Sequence, residues 1–111
     1  MSIKRLEAIN NNIQRTDIYF DRSIFKKVIP DAFREVVALM RLAFKNHKRK
    51  LAKVPFYIQV LEDDIGHSEK LVYRKMNDQL KQAWLDDFKR DLDECINKFK
   101  NDTHMLGNKI W

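Results

Sequence analysis

The sequence contains few of the residues that build turns, disulfides and phosphate-binding loops. Its 111 residues include only two glycines, two prolines and one cysteine. So few turn-forming residues argue against an all-β domain of many strands and against a glycine-rich nucleotide site. Cys95 has no second cysteine with which to form an internal disulfide. A lone cysteine is typical of a reducing compartment, and we therefore expect a cytoplasmic location.

Long apolar runs are also missing. No apolar stretch approaches the roughly 18 residues that a transmembrane helix needs. The first seven residues, Met-Ser-Ile-Lys-Arg-Leu-Glu, have no apolar segment of the kind found in a secretory signal. We therefore expect no contact with a membrane.

No catalytic or metal-binding motif is evident. Cys95 lies among apolar residues at helical spacing, which is typical of a small core side chain rather than a nucleophile. His67, close to Asp63, Asp64 and Glu69, has the ligand types that a divalent metal uses. Acidic residues just before a helix are common for another reason, because a carboxylate stabilises the helix N-terminus. We expect no enzyme activity, no cofactor and no metal site.

Acidic residues are absent from one internal segment, residues 36–61. This segment carries six basic residues, whereas the rest of the chain carries sixteen basic and sixteen acidic residues. The net charge of +6 therefore lies entirely within it. A positive charge concentrated on one element attracts phosphates or an acidic protein surface.

Apolar residues recur every three or four positions along most of the chain, which predicts an all-α fold. We expect one helical domain over 1–111, a compact bundle of four or five helices with one long C-terminal helix. The first predicted helix is capped by Ser2 and ends at a break near Thr16-Asp17. A short helix over about 18–29 follows and is ended by Pro30, and the next helix covers about 32–53. Pro55 then begins another short helix, a turn covers 62–67, and the last helix runs from Ser68 to about Asn101. Residues 54–61 are rich in β-branched and aromatic types and could also form a strand, but a lone strand would have nothing to pair with.

The helix predicted over 32–53 has the clearest amphipathic pattern. At 100° per residue its apolar residues fall on one side, and Arg34, Arg41, Lys45 and Lys48 fall within about 60° of one another on the other. We expect this basic face to point to solvent. The predicted core consists of Phe33, Val37, Met40, Phe44, Trp84, Phe88 and Leu92.

In the predicted C-terminal helix, apolar residues lie four apart from Val72 to Ile96. Such a seam winds around the helix and offers more apolar surface than three or four short helices obviously cover. An uncovered apolar surface usually marks an interface, and this favours a homodimer. The acidic residues 86–94 of the same helix could meet the basic face of another copy.

Two functional hypotheses follow from the basic face. The first is a small non-enzymatic protein that contacts nucleic-acid backbone, or a nucleoprotein assembly, since clustered Lys and Arg neutralise successive phosphates. The second is an inhibitor or adaptor, of the kind encoded by phages or plasmids, whose basic helix docks on an acidic host protein. A solvated face that only keeps the chain soluble is the simplest alternative to both. The candidate binding residues are Arg34, Arg41, Lys45, Lys48, Arg49, Lys50 and Lys53. Phe56 and Tyr57 are the only plausible pair for stacking on bases, although core packing is the better explanation for them.

Overall fold

The fold is built from helices. A computed structural model describes residues 2–18, 23–45 and 55–106, with side chains given for 3–103 of those ranges. Its elements in chain order are α1 (Ser2–Gln14), a π-helix (Ile24–Val28), α2 (Ile29–Lys45), α3 (Phe56–Leu71) and α4 (Asp78–Leu106). No strand occurs in these ranges. The prediction of an all-α bundle with a long C-terminal helix is confirmed.

The bundle is elongated because of α4. A helix of 29 residues is about 43 Å long, and the molecule measures 47 × 23 × 17 Å. α2 packs mainly on α3, and α1 packs on α4 and α2. Within the described ranges, no helix combines the length and the apolar character needed to span a membrane.

The core contains two aromatic clusters, one towards each end of α2. At the first end, the Phe88 ring meets Phe25 at 6.1 Å and Phe33 at 6.3 Å between centroids. At the other end, the Phe44 ring lies edge-on to Phe99 at 5.5 Å. Six of the seven predicted core residues are buried, and Trp84 is half-buried against the core. The spacing of apolar residues therefore predicted the inward faces of α2 and α4 correctly.

Pro30 was predicted to end a helix, and that prediction is wrong. The chain passes from the π-helix straight into α2, and Pro30 lies in the first turn of α2. In a regular α-helix the proline ring clashes with the carbonyl four residues earlier. The wider π turn, in which the Ile29 N–H donates to the Ile24 carbonyl, makes room for the ring.

Pro30 has no N–H, and a side chain of α3 donates the hydrogen bond that is therefore missing. In the π register the Phe25 carbonyl would accept a hydrogen bond from residue 30, which has no N–H to donate. The fully buried Ser68 hydroxyl donates to that carbonyl instead, at 2.7 Å. Ser68 therefore joins α3 to the π-helix rather than capping a helix of its own.

The turn predicted over 62–67 is also absent, because α3 runs through it without a break. Ile58, Leu61, Ser68 and Leu71 all face the core at helical spacing. Burial of this face outweighs the low helix propensity of Gly66. The predicted start is confirmed to within one residue, since Pro55 is the N-cap of α3 and Phe56–Leu61 is helical rather than extended.

The last helix begins ten residues later than predicted. Residues 72–77 form the turn, and Asn77 caps α4 by accepting a hydrogen bond from the Leu80 N–H at 2.8 Å. The apolar seam therefore does not continue into one helix from Val72, since Val72 and Met76 lie in the turn. The helix predicted over 32–53 is observed from Ile29 to Lys45, and its predicted remainder, 46–53, lies outside the described residues.

Candidate nucleic-acid interface

The basic face of α2 carries three of the seven predicted binding residues. Arg34, Arg41 and Lys45 all lie on the exposed side of this helix, opposite Phe33, Val37, Met40 and Phe44. Leu42 shares that side and is 53% exposed. The predicted binding residues Lys48, Arg49, Lys50 and Lys53 lie outside the described residues.

Two of these three residues form ion pairs with α3. Arg34 Nη2 lies 2.6 Å from Glu69 Oε1, and Arg41 Nη2 bonds Glu62 Oε1. Arg34 and Arg41 are seven residues apart, and so are Glu62 and Glu69. The earlier arginine pairs with the later glutamate, and the later arginine with the earlier glutamate. Antiparallel packing of α2 on α3 therefore matches the two pairs turn by turn. The face points to solvent as predicted, but Arg34 and Arg41 are each paired with a glutamate of α3, which neutralises their charge locally.

Lys45 differs from these arginines. It is exposed, and within the ranges that the structure describes no carboxylate lies at ion-pair distance from it. It is the last residue of α2 and precedes the basic run that begins at Lys48. The uncompensated charge of this face therefore begins at Lys45.

A carboxyl group of α3, that of the buried Asp64, interacts with the half-buried Asp91 of α4. Asp64 is only 7% exposed and shares a side-chain hydrogen bond with Asp91. Its second oxygen, Oδ2, has no hydrogen-bond partner among the described residues. Burial first, and then the hydrogen bond with Asp91, raise the pKa of Asp64 to about 8. At neutral pH the folded chain therefore keeps the proton of Asp64.

Sequence reasoning missed this pair because it placed Asp64 in a turn. The signal was present, since Asp64 falls three residues after Leu61 and four before Ser68, on the inward side of α3. A carboxylate at a core position of a helix predicts either a partner or a raised pKa. Asp91 was grouped with the solvated acidic residues of α4, although it is half-buried.

The other candidate residues are explained by packing. The Tyr57 hydroxyl donates to Asp102 at 2.6 Å inside the bundle, whereas Phe56 is 77% exposed, so the two do not form a stacking pair. Cys95 is buried, which raises the pKa of its thiol to about 12 and keeps it protonated. His67 packs beside the ring of Trp84 at 6.3 Å. In the part of the chain that the structure describes, no three His, Cys, Asp or Glu residues are grouped to hold a metal ion.

Comparison with known proteins finds no relative. No protein-family model matches the chain, and neither does any curated protein or solved structure.

Proposed function

We propose that the chain is a small non-enzymatic binding protein that contacts nucleic-acid backbone, or a nucleoprotein assembly, from the C-terminal end of α2. The observation that carries the proposal is the position of Lys45. Lys45 is exposed and has no ion-pair partner within the described ranges, and the sequence from Lys45 to Leu61 contains no acidic residue. Phosphates are attracted where positive charge is not compensated by the protein itself.

The ion pairs of α2 divide the candidate residues into two groups. Arg34 and Arg41 stabilise the contact between α2 and α3, and their charges are cancelled locally by Glu69 and Glu62. Lys45, together with Lys48, Arg49, Lys50 and Lys53, supplies the binding charge. The proposal includes a cytoplasmic setting, in which nucleic acid is available and a lone thiol stays reduced.

Three double variants test this division, and each removes two positive charges. Lys45→Gln/Lys48→Gln removes binding charge, Arg34→Gln/Arg41→Gln removes paired charge, and the control Lys4→Gln/Lys98→Gln removes charge from exposed sites on α1 and α4. Binding to unrelated duplexes is measured by fluorescence anisotropy over a salt series. For Lys45→Gln/Lys48→Gln we expect weaker binding and a salt slope smaller by about 1.8, because each lost phosphate contact lowers it by about 0.9. The other two variants are expected to keep the wild-type slope.

Two outcomes would contradict the proposal. Equal losses in all three variants would mean that only the overall charge matters, without a localised interface. A wild-type chain that binds no nucleic acid at low salt would exclude the proposal altogether.

One observation favours the alternative of an inhibitor or adaptor that docks on an acidic protein. Leu42 projects from the same side of α2 as Arg41 and Lys45 and is more than half exposed. Phosphates gain nothing from an apolar neighbour, whereas protein interfaces combine apolar centres with charged rims. Under this alternative, Leu42→Ser would abolish binding of the partner, and nucleic acid would not bind.

A further inference from the structure

A cleft lies where the last turn of α3 meets the π-helix and the turn before α4. Its volume is about 610 Å³. The lining residues are Lys26, Gly66, Glu69, Lys70, Val72 and Tyr73. Ligand sites have volumes of about 300–1,000 Å³, so the cleft is large enough for a nucleotide.

The cleft is positively charged. Lys26 and Lys70 reach it from different elements, and neither is at ion-pair distance from a carboxylate in the described parts of the chain. Glu69, the one acidic lining residue, is held by Arg34 at 2.6 Å. Two unpaired ammonium groups therefore face the cleft. Three further exposed basic residues follow directly in sequence: Lys27 after Lys26, and Arg74 and Lys75 after Tyr73.

An exposed aromatic ring stands beside these charges. Tyr73 is 90% exposed, the largest exposure among the exposed large hydrophobic residues of the described chain. Its backbone is fixed nonetheless, because its N–H donates to the Lys70 carbonyl at 3.2 Å and the next N–H donates to Leu71 at 3.1 Å. An exposed ring on a fixed backbone offers a flat surface on which a nucleobase can stack. Val72 adds an apolar side chain next to the ring.

We propose that this cleft binds a nucleotide of a single-stranded nucleic acid, with the base stacked on Tyr73 and the neighbouring phosphates held by Lys26 and Lys70. The combination of ring and ammonium groups favours this ligand over an acidic peptide or a lipid headgroup, neither of which offers a flat ring to Tyr73. In a duplex the bases are already stacked on one another, so Tyr73 would gain nothing there. The proposal deepens the proposed function and rests on it, because it names the single strand as the form that is bound at the cleft.

The cleft and Lys45 lie at opposite ends of the same surface. Glu69 of the cleft is paired with Arg34, and Lys45 follows eleven residues later, about 16 Å further along α2. A single strand running along the α2–α3 pair would meet unpaired positive charge at both ends. The neutral Arg34–Glu69 pair lies at the cleft, and the Arg41–Glu62 pair lies between the cleft and Lys45.

The test uses the full chain and labelled 12-nucleotide oligothymidylate, oligouridylate and a 12-base-pair duplex, followed by anisotropy over a salt series. For Tyr73→Leu we expect affinity for both single strands to fall about tenfold, with the salt slope and the duplex affinity unchanged. Tyr73→Phe keeps the ring and should bind within about twofold of wild type. Lys26→Gln/Lys70→Gln should reduce the single-strand slope by about 1.4, since each contact contributes about 0.7. All these side chains are exposed, so each variant is expected to fold, and circular dichroism is the check.

The outcomes separate this proposal from the proposed function. If Tyr73→Leu binds single strands like wild type while Lys45→Gln/Lys48→Gln binds both forms more weakly, the cleft proposal fails and the proposed function stands. If no nucleic acid binds wild type, both fail. If the cleft variants instead lose binding to phosphatidylserine vesicles or to a polyglutamate peptide that wild type binds, the ligand class proposed here is wrong.

Discussion

Asp64 is the one buried acidic residue of the described core. Three acidic side chains act on it electrostatically: Asp91 and Asp87 from α4, and Asp63 from its own helix. The nearby Cys95 thiol is also buried and stays neutral. Asp64 is therefore accommodated as a neutral acid that hydrogen-bonds Asp91, and not as a free carboxylate.

This arrangement predicts how stability changes with pH. The folded chain keeps the Asp64 proton up to about pH 8, whereas the unfolded chain loses it near 3.8. Between these values the folded state binds more protons, so the free energy of unfolding falls as the pH rises and levels off above about 8. Asp64→Asn stays neutral and can still donate to Asp91. We expect it to be more stable than wild type at pH 9 by about 1–3 kcal/mol, as measured by urea unfolding.

Asp86→Asn is the matched control, because it makes the same substitution at an exposed position that is not among the charges acting on Asp64. Its unfolding free energy should follow the wild-type pH profile between pH 5 and 9. If Asp64→Asn also followed the wild-type profile, the proton assigned to Asp64 in the folded chain would be disproved.

At the scale of the helices, the sequence predicts α2 and α4 far better than α3. The apolar stripe of α2 is uninterrupted, so periodicity alone locates both Phe33 and Phe44 in the core. In α3 the stripe is interrupted, since Asp64 and Ser68 occupy inward positions. Both are polar residues whose partners, Asp91 and the Phe25 carbonyl, lie far away in the sequence. A pattern read along one chain segment contains no information on such partners.

The same limit applies to the candidate interface. The angular position of Arg34, Arg41 and Lys45 follows from helical geometry, and the structure agrees with it. That Arg34 and Arg41 are neutralised while Lys45 is not depends on the antiparallel packing of α3. The cleft at Tyr73 was not predicted because its two lysines are 44 positions apart and meet only in the folded chain.

A substitution at Gly66 distinguishes the predicted turn from the observed helix. It lies inside α3, and a Cβ added there would meet no atom within 4 Å. Alanine has the higher helix propensity, so we expect Gly66→Ala to raise the free energy of unfolding by about 0.5–1 kcal/mol in urea. A turn that required a left-handed glycine would instead make this variant less stable.

Ala83→Gly provides the opposite control, since Ala83 is exposed within α4. It should lower the free energy of unfolding by about the same amount. If both substitutions were destabilising, residues 62–67 would not be helical in solution.

At the scale of the whole molecule, the expectation of a homodimer has lost its main support. It depended on an apolar seam from Val72 to Ile96 that one set of helices could not cover. In the described part of α4, the apolar residues that face the bundle are buried within the chain, namely Leu85, Phe88, Leu92, Ile96 and Phe99, and Trp84 is half-buried. Val72 and Leu80 are about half-exposed and lie outside that face.

We therefore expect a monomer of 13.4 kDa in sedimentation equilibrium at high micromolar concentration.

A different route to self-association is electrostatic, namely contact of the acidic residues of α4 with the basic end of α2 on another copy. Such a contact is electrostatic, so it would weaken steeply as salt rises from low to physiological concentration. An apolar interface would persist at high salt. A dimer that survives in high salt would contradict the monomer prediction and would indicate apolar surface that the described helices leave uncovered. A dimer seen only at low salt would also contradict it, and would indicate the electrostatic contact between copies.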